Sequence, residues 1–427
     1  MATSSVSLHF AQPQAYHDIY NNKNRWDKDE ILYRSFDANH SSFGSITYAE
    51  SKERKDVMNR VFSTNAIEQT QGLIVEKINA VCAAFRRESD AKEPIDIFYG
   101  FRCLTVDIIT YLCFGSSVDA IEEPHFNAPI VQAMSAVGTT QVRFKYSTLY
   151  RNMILKCPSY LSKKLSPETA GVVDMRQMLV EQINGLSADP EKLAKLPHQT
   201  TIYHLLMSKE AYRTDTVPTT GSLRDEAQTV LFAGADTVGN TLMLGSFHLM
   251  KQPKAYQALK EELVGVWPVM ERAPDLRTLE RLPYLTAVIK EALRLTSGVT
   301  TGLSRVVPPE GASICGTIVP GKTIVSCGNT FVHYNADTFN DPMAFSPERW
   351  LEDPELEKWL VPFSKGPRMC LGINLAWAEL RLKFAHVFRN FDMELDSSSP
   401  QELLWHDKFL PTYYGGHVKA KMTAVSS

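Results

Sequence analysis

The sequence predicts a mainly α-helical protein with small β-sheets, folded as one large domain over residues 1–427. Three observations carry that expectation. Long amphipathic stretches run through the body of the chain, the texture changes near residue 300 to short β-prone pieces, and no repeat, low-complexity tract or flexible linker divides the 427 residues. A chain of this length can bury a substantial core.

Residues 6–12 alternate as a short strand does, and Pro13 then opens a helix at the position where its missing N–H costs nothing. Amphipathic stretches over about 65–115 and 222–250 supply the helical body. The cleanest helix runs from Pro283 to Leu295, with Leu285, Val288, Ile289, Ala292 and Leu293 at i, i+3, i+4, i+7 and i+8. Ala312 to Val319 and Thr323 to Cys327 then read as strands separated by the turn signal Pro320-Gly321. A last helix begins near Cys370 and reaches about Phe391.

Composition excludes several classes. With 44% hydrophobic and 22% charged residues the chain is an ordinary globular one. A net charge of -3 supplies no basic field to neutralise phosphates, so no nucleic-acid partner is expected and a small molecule is the default ligand. Seven cysteines without a C-x-x-C pair argue against a zinc ribbon or a disulfide framework and for a reducing compartment. The N-terminus has no signal-like run, and no uninterrupted apolar stretch of about 18 residues occurs, so the chain as written is expected to be cytoplasmic with no transmembrane segment.

The chemistry concentrates in Phe363-Ser-Lys-Gly366-Pro-Arg368-Met-Cys370-Leu-Gly372. Cys370 stands between a turn and a helix start, where unpaired N–H groups and the helix dipole favour thiolate over thiol, as a metal ligand requires. Gly366 allows a turn that a Cβ could obstruct, Gly372 lets the helix approach a flat ligand, and Arg368 offers a planar fork to a carboxylate. Phe363 would shield the sulfur from water. A lone cysteine is more often a small buried hydrophobe. Five fixed residues at this spacing, Cys370 among them, however, coincide by chance on the order of once in 10⁴ chains.

The pattern F-x-x-G-x-R-x-C-x-G resembles the ligand loop of the cytochrome P450 family, and the resemblance extends from about residue 6 to the C-terminus. Glu291-Ala-Leu-Arg294 is similar to the family's E-x-x-R pair, and Arg349, in Pro347-Glu-Arg349-Trp, stands where a second arginine completes a buried structural triad. Glu210-Ala-Tyr-Arg213 has the same form but reads as a solvated surface pair. Ala233-Gly234-Ala-Asp236-Thr237 resembles the oxygen-activating stretch of the central helix. A glycine at 234 costs about 1 kcal/mol there, which a groove for dioxygen against the haem would offset. The resemblance implies that the Thr237 hydroxyl hydrogen-bonds bound dioxygen while Asp236 helps bring in protons. It also implies that Arg305 reaches a haem propionate. Tyr48-Ala-Glu-Ser-Lys52 stands where many members carry W-x-x-x-R, so Lys52 is the candidate for the other propionate, without the bidentate fork of an arginine. A solvated helix face accounts equally well for Lys52, Arg54 and Lys55.

What the resemblance implies overall is a haem b monooxygenase, acting as a monomer, with Cys370 on the iron. It would insert one atom of dioxygen into a small apolar substrate by hydroxylation or epoxidation. Nothing in the sequence binds flavin or nicotinamide, so electrons would come from an NADPH-dependent flavoprotein reductase, with Lys365 on the docking face. The pocket would be lined from Phe232 to Thr237, Val299 to Leu303 and Leu410 to Tyr414. The segments around Ser42 and Val61 look like filamentous-fungal members that oxidise terpenoids or polyketides. Microsomal members place a membrane anchor, a first helix and a first strand before the segment that Val6 to Tyr20 resembles, so the chain is expected to be a shortened form whose full-length relatives sit on the endoplasmic reticulum. The rival readings are a haem-thiolate lyase or isomerase and an inactive haem-binding relative.

Overall fold

Apolar residues at helical spacing and local caps form the helices that frame the site. In the computed structural model, which describes residues 6–425 other than 91–92, 136, 159, 162–163, 165–169, 190, 192–200 and 214–215, Pro13 opens helix α1 (Pro13–Ile19) directly after strand β1 (Ser7–Phe10). Helix α2 (Tyr48–Phe62) starts at a capping box between Thr47 and Glu50. The stretch over 65–115 divides into α3 (Thr64–Asp90) and α4 (Ile97–Phe114). Pro94 has no N–H for a helix, and Ile95–Asp96 forms strand β2 instead. Asp96 then caps α4 through the Tyr99 backbone N–H.

Helix α5 (Thr220–Lys251) has 32 residues and, at 1.5 Å per residue, spans about 48 Å through the core. It lies against α4, where the Thr105 hydroxyl donates to the Ala235 carbonyl at 2.8 Å. Helix α6 (Pro283–Thr296) matches the predicted amphipathic helix, and α7 (Ile373–Asn390) follows the cysteine loop.

The sheets are small, as expected. One has the order β1-β6-β3, with β3 at Arg305–Val306 and β6 at Ile324–Cys327. The segment Ala312 to Val319 is two strands, β4 (Ala312–Ile314) and β5 (Thr317–Val319), because Cys315 and Gly316 both adopt positive φ and turn the chain there. The Pro320-Gly321 turn leads on to β6. Strands β7 (Phe391–Leu395), β8 (Leu404–Lys408), β9 (Leu410–Tyr414) and β10 (Lys419–Ala424) complete a second sheet, β2-β10-β7, and the hairpin β8-β9.

Among the described residues one helix, α4, is long and apolar enough to cross a membrane, and 83% of that window is buried inside the protein. Glu210 and Arg213 do not pair with each other: Glu210 accepts from the Ser208 hydroxyl, and Arg213 reaches Asp56 at 3.7 Å.

Candidate active site

A cavity of about 500 Å³ lies between α2, α5 and the start of α7, and Cys370 opens onto it. The Cys370 N–H donates to the Phe363 carbonyl at 2.8 Å, and Met369 N–H to Gly366 at 3.0 Å, which closes the loop beneath the cavity. Gly366 has φ +76, and a Cβ there would stand 2.5 Å from the Asn21 carbonyl oxygen, so this glycine shapes the loop without facing the cavity. Gly372 is the N-cap of α7 and lies on the cavity wall. Phe363 also lies on the wall, tilted against Trp377 at 6.4 Å.

The sulfur is accessible from the cavity yet sits at the depth of the core. Burial raises the Cys370 thiol, while the Gly372 backbone and Lys55 pull it down. Burial wins, contrary to the expectation that the helix start alone favours thiolate. A thiolate at this depth needs a cation against it, which is the demand an iron ligand meets.

At the rim three cations converge. Arg368 donates to the Ile46 carbonyl at 2.8 Å and to Ser45 at 3.3 Å, but its buried Nε has no partner. Burial, and next Arg305, hold its guanidinium down at about 10. Lys28 is 4% exposed, donates to the Phe43 carbonyl and lies over the Tyr33 ring at 4.3 Å. Its ammonium is pushed well below the ordinary range by burial, then by Arg368, Arg305 and Lys55. Lys55 donates to Met369 at 2.8 Å and is lowered by burial as well. Cations gathered in this way need an anion, and together with an outward-facing thiol they fit an iron porphyrin carrying carboxylates.

Lys52 is not in this cluster. It pairs with Asp56 one turn along on the open face of α2. Ser51, Lys55, Met58 and Phe62 form the i, i+4, i+7, i+11 stripe that faces the cavity, and residue 52 lies about 100° away from residue 51. Arg54 is also turned inward, 3.6 Å from the buried Glu226, so a solvated face describes only Lys52. Arg305 stands behind the wall. It donates to the Tyr33 hydroxyl at 2.8 Å and to the Ser304 carbonyl at 3.0 Å, and reaches the site through its field on Arg368 and Lys28.

On the opposite wall Ala233, Asp236 and Thr237 face the cavity. The Thr237 hydroxyl donates to the Ala233 carbonyl at 2.8 Å. Gly234 lies on this wall as well, beside Ala233. Its missing Cβ would lie 2.6 Å from Ile109 Cγ1, so the absence of a side chain also lets α4 approach closely. Asp236 Oδ1 accepts from Arg102 Nε at 3.1 Å, and Arg102 also donates to the Phe98 carbonyl and to Asn240. Arg102 was not among the candidates. Its signal was a charge inside the apolar run of α4.

The sequence model described as Cytochrome P450 matches residues 4–414. The chain belongs to the cytochrome P450 family. It is 34% identical to the cytochrome P450 monooxygenase flvC of Aspergillus flavus, over 99% of this chain and 78% of that protein. It is 30% identical to the N-acetyltryptophan 6-hydroxylase ivoC of Emericella nidulans, over 95% and 80%, and 28% identical to the cytochrome P450 monooxygenase claJ of Penicillium crustosum, over 97% and 96%. The protein is therefore a haem-dependent P450 monooxygenase that uses dioxygen, a redox partner and a small-molecule substrate.

The structural triad of this P450 assembles as the resemblance implied. Arg294 donates to both Glu291 oxygens, at 2.8 and 2.9 Å, and Arg349 Nε to Oε1 at 3.1 Å. Trp350 Nε1 and the Ser346 N–H also donate to Glu291, at 2.9 and 3.0 Å. Behind Arg294, the buried His333 accepts from the Val361 N–H at 2.9 Å, which ties the triad to the segment leading into the cysteine loop. The expected pocket wall is partly right. Phe232, Val299, Leu303 and Leu410 to Tyr413 line the cavity, whereas the Thr300 and Thr301 hydroxyls turn to Asp407 and Tyr414 faces solvent. Phe36, Phe43 and Phe409, rings packed 4.6 to 5.8 Å apart, complete a wall that the sequence reading missed. Lys365 folds back on the Lys358 carbonyl at 2.8 Å.

Proposed function

We propose that this P450, acting as one domain, holds haem b through Cys370 and hydroxylates or epoxidises a small apolar terpenoid or polyketide of fungal secondary metabolism, with electrons from an NADPH-dependent flavoprotein reductase. The observation that carries the reading is one cavity with the Cys370 sulfur on one wall, Asp236 and Thr237 on the other, and Lys28, Lys55 and Arg368 at its rim. Bound haem would supply dioxygen activation, with the thiolate favouring O–O heterolysis. Phe363 keeps water from the sulfur, and the rim cations bind the two carboxylates. The Thr237 hydroxyl, free to turn from the Ala233 carbonyl, donates towards the reacting centre, and Asp236 restores its proton. The phenylalanine wall selects apolar substrates. A lyase or isomerase would not need the Asp236–Thr237 relay.

The purified chain, reduced and exposed to carbon monoxide, should show the strongly red-shifted Soret band of a thiolate ligand. A band like that of histidine-ligated haem would sink the assignment.

A further inference from the structure

The cavity that holds Cys370 and Thr237 also extends past Asp236 to His417. Phe98, Tyr99 and Arg102 of α4 line this arm, with Asn240 of α5 opposite. The Arg102 guanidinium lies 3.6 Å over the Phe98 ring, and the His417 imidazole stacks on the same ring at 4.5 Å, with 8° between the planes. Gly415 and Gly416, at φ +89 and +118, make the turn that brings His417 back onto Phe98. His417 Nδ1 stands 2.8 Å from Asp96 Oδ2, and the His417 side chain is 37% exposed while that of Arg102 is 6% exposed. One continuous space therefore joins a surface imidazole to the carboxylate beside Thr237.

We propose that His417, held by Asp96, is where protons enter the site, and that they pass through water beside Phe98 to Asp236 and on to Thr237. The inference rests on the relay reading of Asp236 and Thr237 and adds its outer end. Hydroxylation takes up two protons and two electrons for each dioxygen: substrate C–H, dioxygen, two electrons from the redox partner and two protons yield the alcohol and one water. His417 takes a proton from solvent, releases one inward and is restored, so it is unchanged over the cycle. Arg102 cannot carry the proton, because a guanidinium does not give one up. It positions Asp236 by engaging Oδ1, which leaves Oδ2 to accept and release. Imidazole is the side chain suited to exchange between pH 5 and 8, and with Nδ1 turned to Asp96 the exchanging nitrogen is Nε2. The charged and titratable groups around it are Asp96 on β2, Tyr99 and, beyond the Phe98 ring, Arg102 on α4, and Lys419 at the start of β10.

The test uses the holoenzyme driven by a flavoprotein reductase, reading oxygen uptake, the fraction released as hydrogen peroxide and the solvent isotope effect, none of which needs an identified substrate. Ligand access is read separately from the association rate of 4-phenylimidazole, followed by the Soret shift. His417→Gln keeps a hydrogen bond to Asp96 but cannot exchange a proton. It should slow oxygen uptake on the order of tenfold, less than the 10²–10⁴ of a general acid at the reacting atoms. It should also enlarge the solvent isotope effect and leave 4-phenylimidazole association unchanged. In an Asp236→Asn background it should add nothing. Should the Gln variant fold poorly, Asp96→Asn, which retains the cap acceptor of α4, should show part of the same effect. Altered 4-phenylimidazole association with an unchanged isotope effect would make the arm a ligand route and overturn the proposal. An effect of Asp236→Asn without one of His417→Gln would place proton entry elsewhere and leave the relay standing. No isotope response in either variant would overturn the relay itself.

Discussion

Replacing Glu291 with alanine tests the architecture behind the site. Its two oxygens accept five hydrogen bonds, from Arg294 twice and from Arg349, Trp350 and Ser346 once each. The glutamate and Arg294 have no exposed side-chain surface, and Arg349 has 10%. Glu291→Ala therefore strands two buried guanidinium groups, at roughly 3–5 kcal/mol for a broken buried pair. It also leaves an indole N–H and a backbone N–H unmet, at about 1–3 kcal/mol each where water cannot reach them. The sum, on the order of 5 kcal/mol or more, is comparable to the whole stability of a typical domain, about 5–15 kcal/mol. Because His333 joins this network to Val361, the damage should reach the cysteine loop. The measurements are the urea midpoint of the chain and the reduced carbon monoxide spectrum. Glu291→Ala should fail to accumulate as a folded protein, and Glu291→Gln, which keeps one carbonyl acceptor, should fold with a lowered midpoint and a partial shift of the Soret band towards the position of a lost thiolate. A Glu291→Ala protein with a wild-type midpoint and a full thiolate band would refute the argument.

Further outcomes follow from the same geometry. Lys55→Met should weaken haem retention on the order of tenfold, measured by transfer to apomyoglobin, whereas Lys52→Met should change it little because an exposed pair is worth about 0–1 kcal/mol. Gly234→Ala should destabilise by about 1–3 kcal/mol, despite the better helix propensity of alanine, because its Cβ meets Ile109 at 2.6 Å, and Ile109→Ala should recover part of the loss in a double-mutant cycle. Thr237→Ala should divert reducing equivalents to hydrogen peroxide, and unchanged coupling would remove its role. Burial holds His333 at about 3, and His248 and His386 at about 4, below their ordinary 6.5. The unfolded chain thus binds more protons below 6.5, so stability should be full above that pH and fall as pH drops towards 4, by roughly 2 kcal/mol per histidine at pH 5. His386→Leu, which removes a ring nitrogen without a partner, should reduce that slope in urea titrations by about a third.

The part of the site legible in the sequence is the part made by neighbours along the chain. The cysteine loop, the Glu291–Arg294 pair and the Asp236–Thr237 pair are each set by a few consecutive residues, and the turn at Gly366 is legible because it takes a positive φ, although the glycine lies off the cavity wall. Lys52 failed because nearness in sequence to a motif does not set direction on a helix, although the 51, 55, 58, 62 stripe was open to inspection and pointed to Lys55. The second demand on Gly234 was not legible either, since the space a Cβ would take there is filled by a side chain 125 residues earlier.

By itself, then, the sequence determined the family, the helical texture and the identity of the sulfur that faces the cavity, because local backbone chemistry and residue spacing carry that information. Tertiary structure alone decided which cations gather at the rim, how Arg102 holds Asp236, and that β1 pairs with β6 across more than 300 residues. Those depend on which faces are buried against one another, and burial decides whether a charge is solvated on the surface or turned inward to hold an anion.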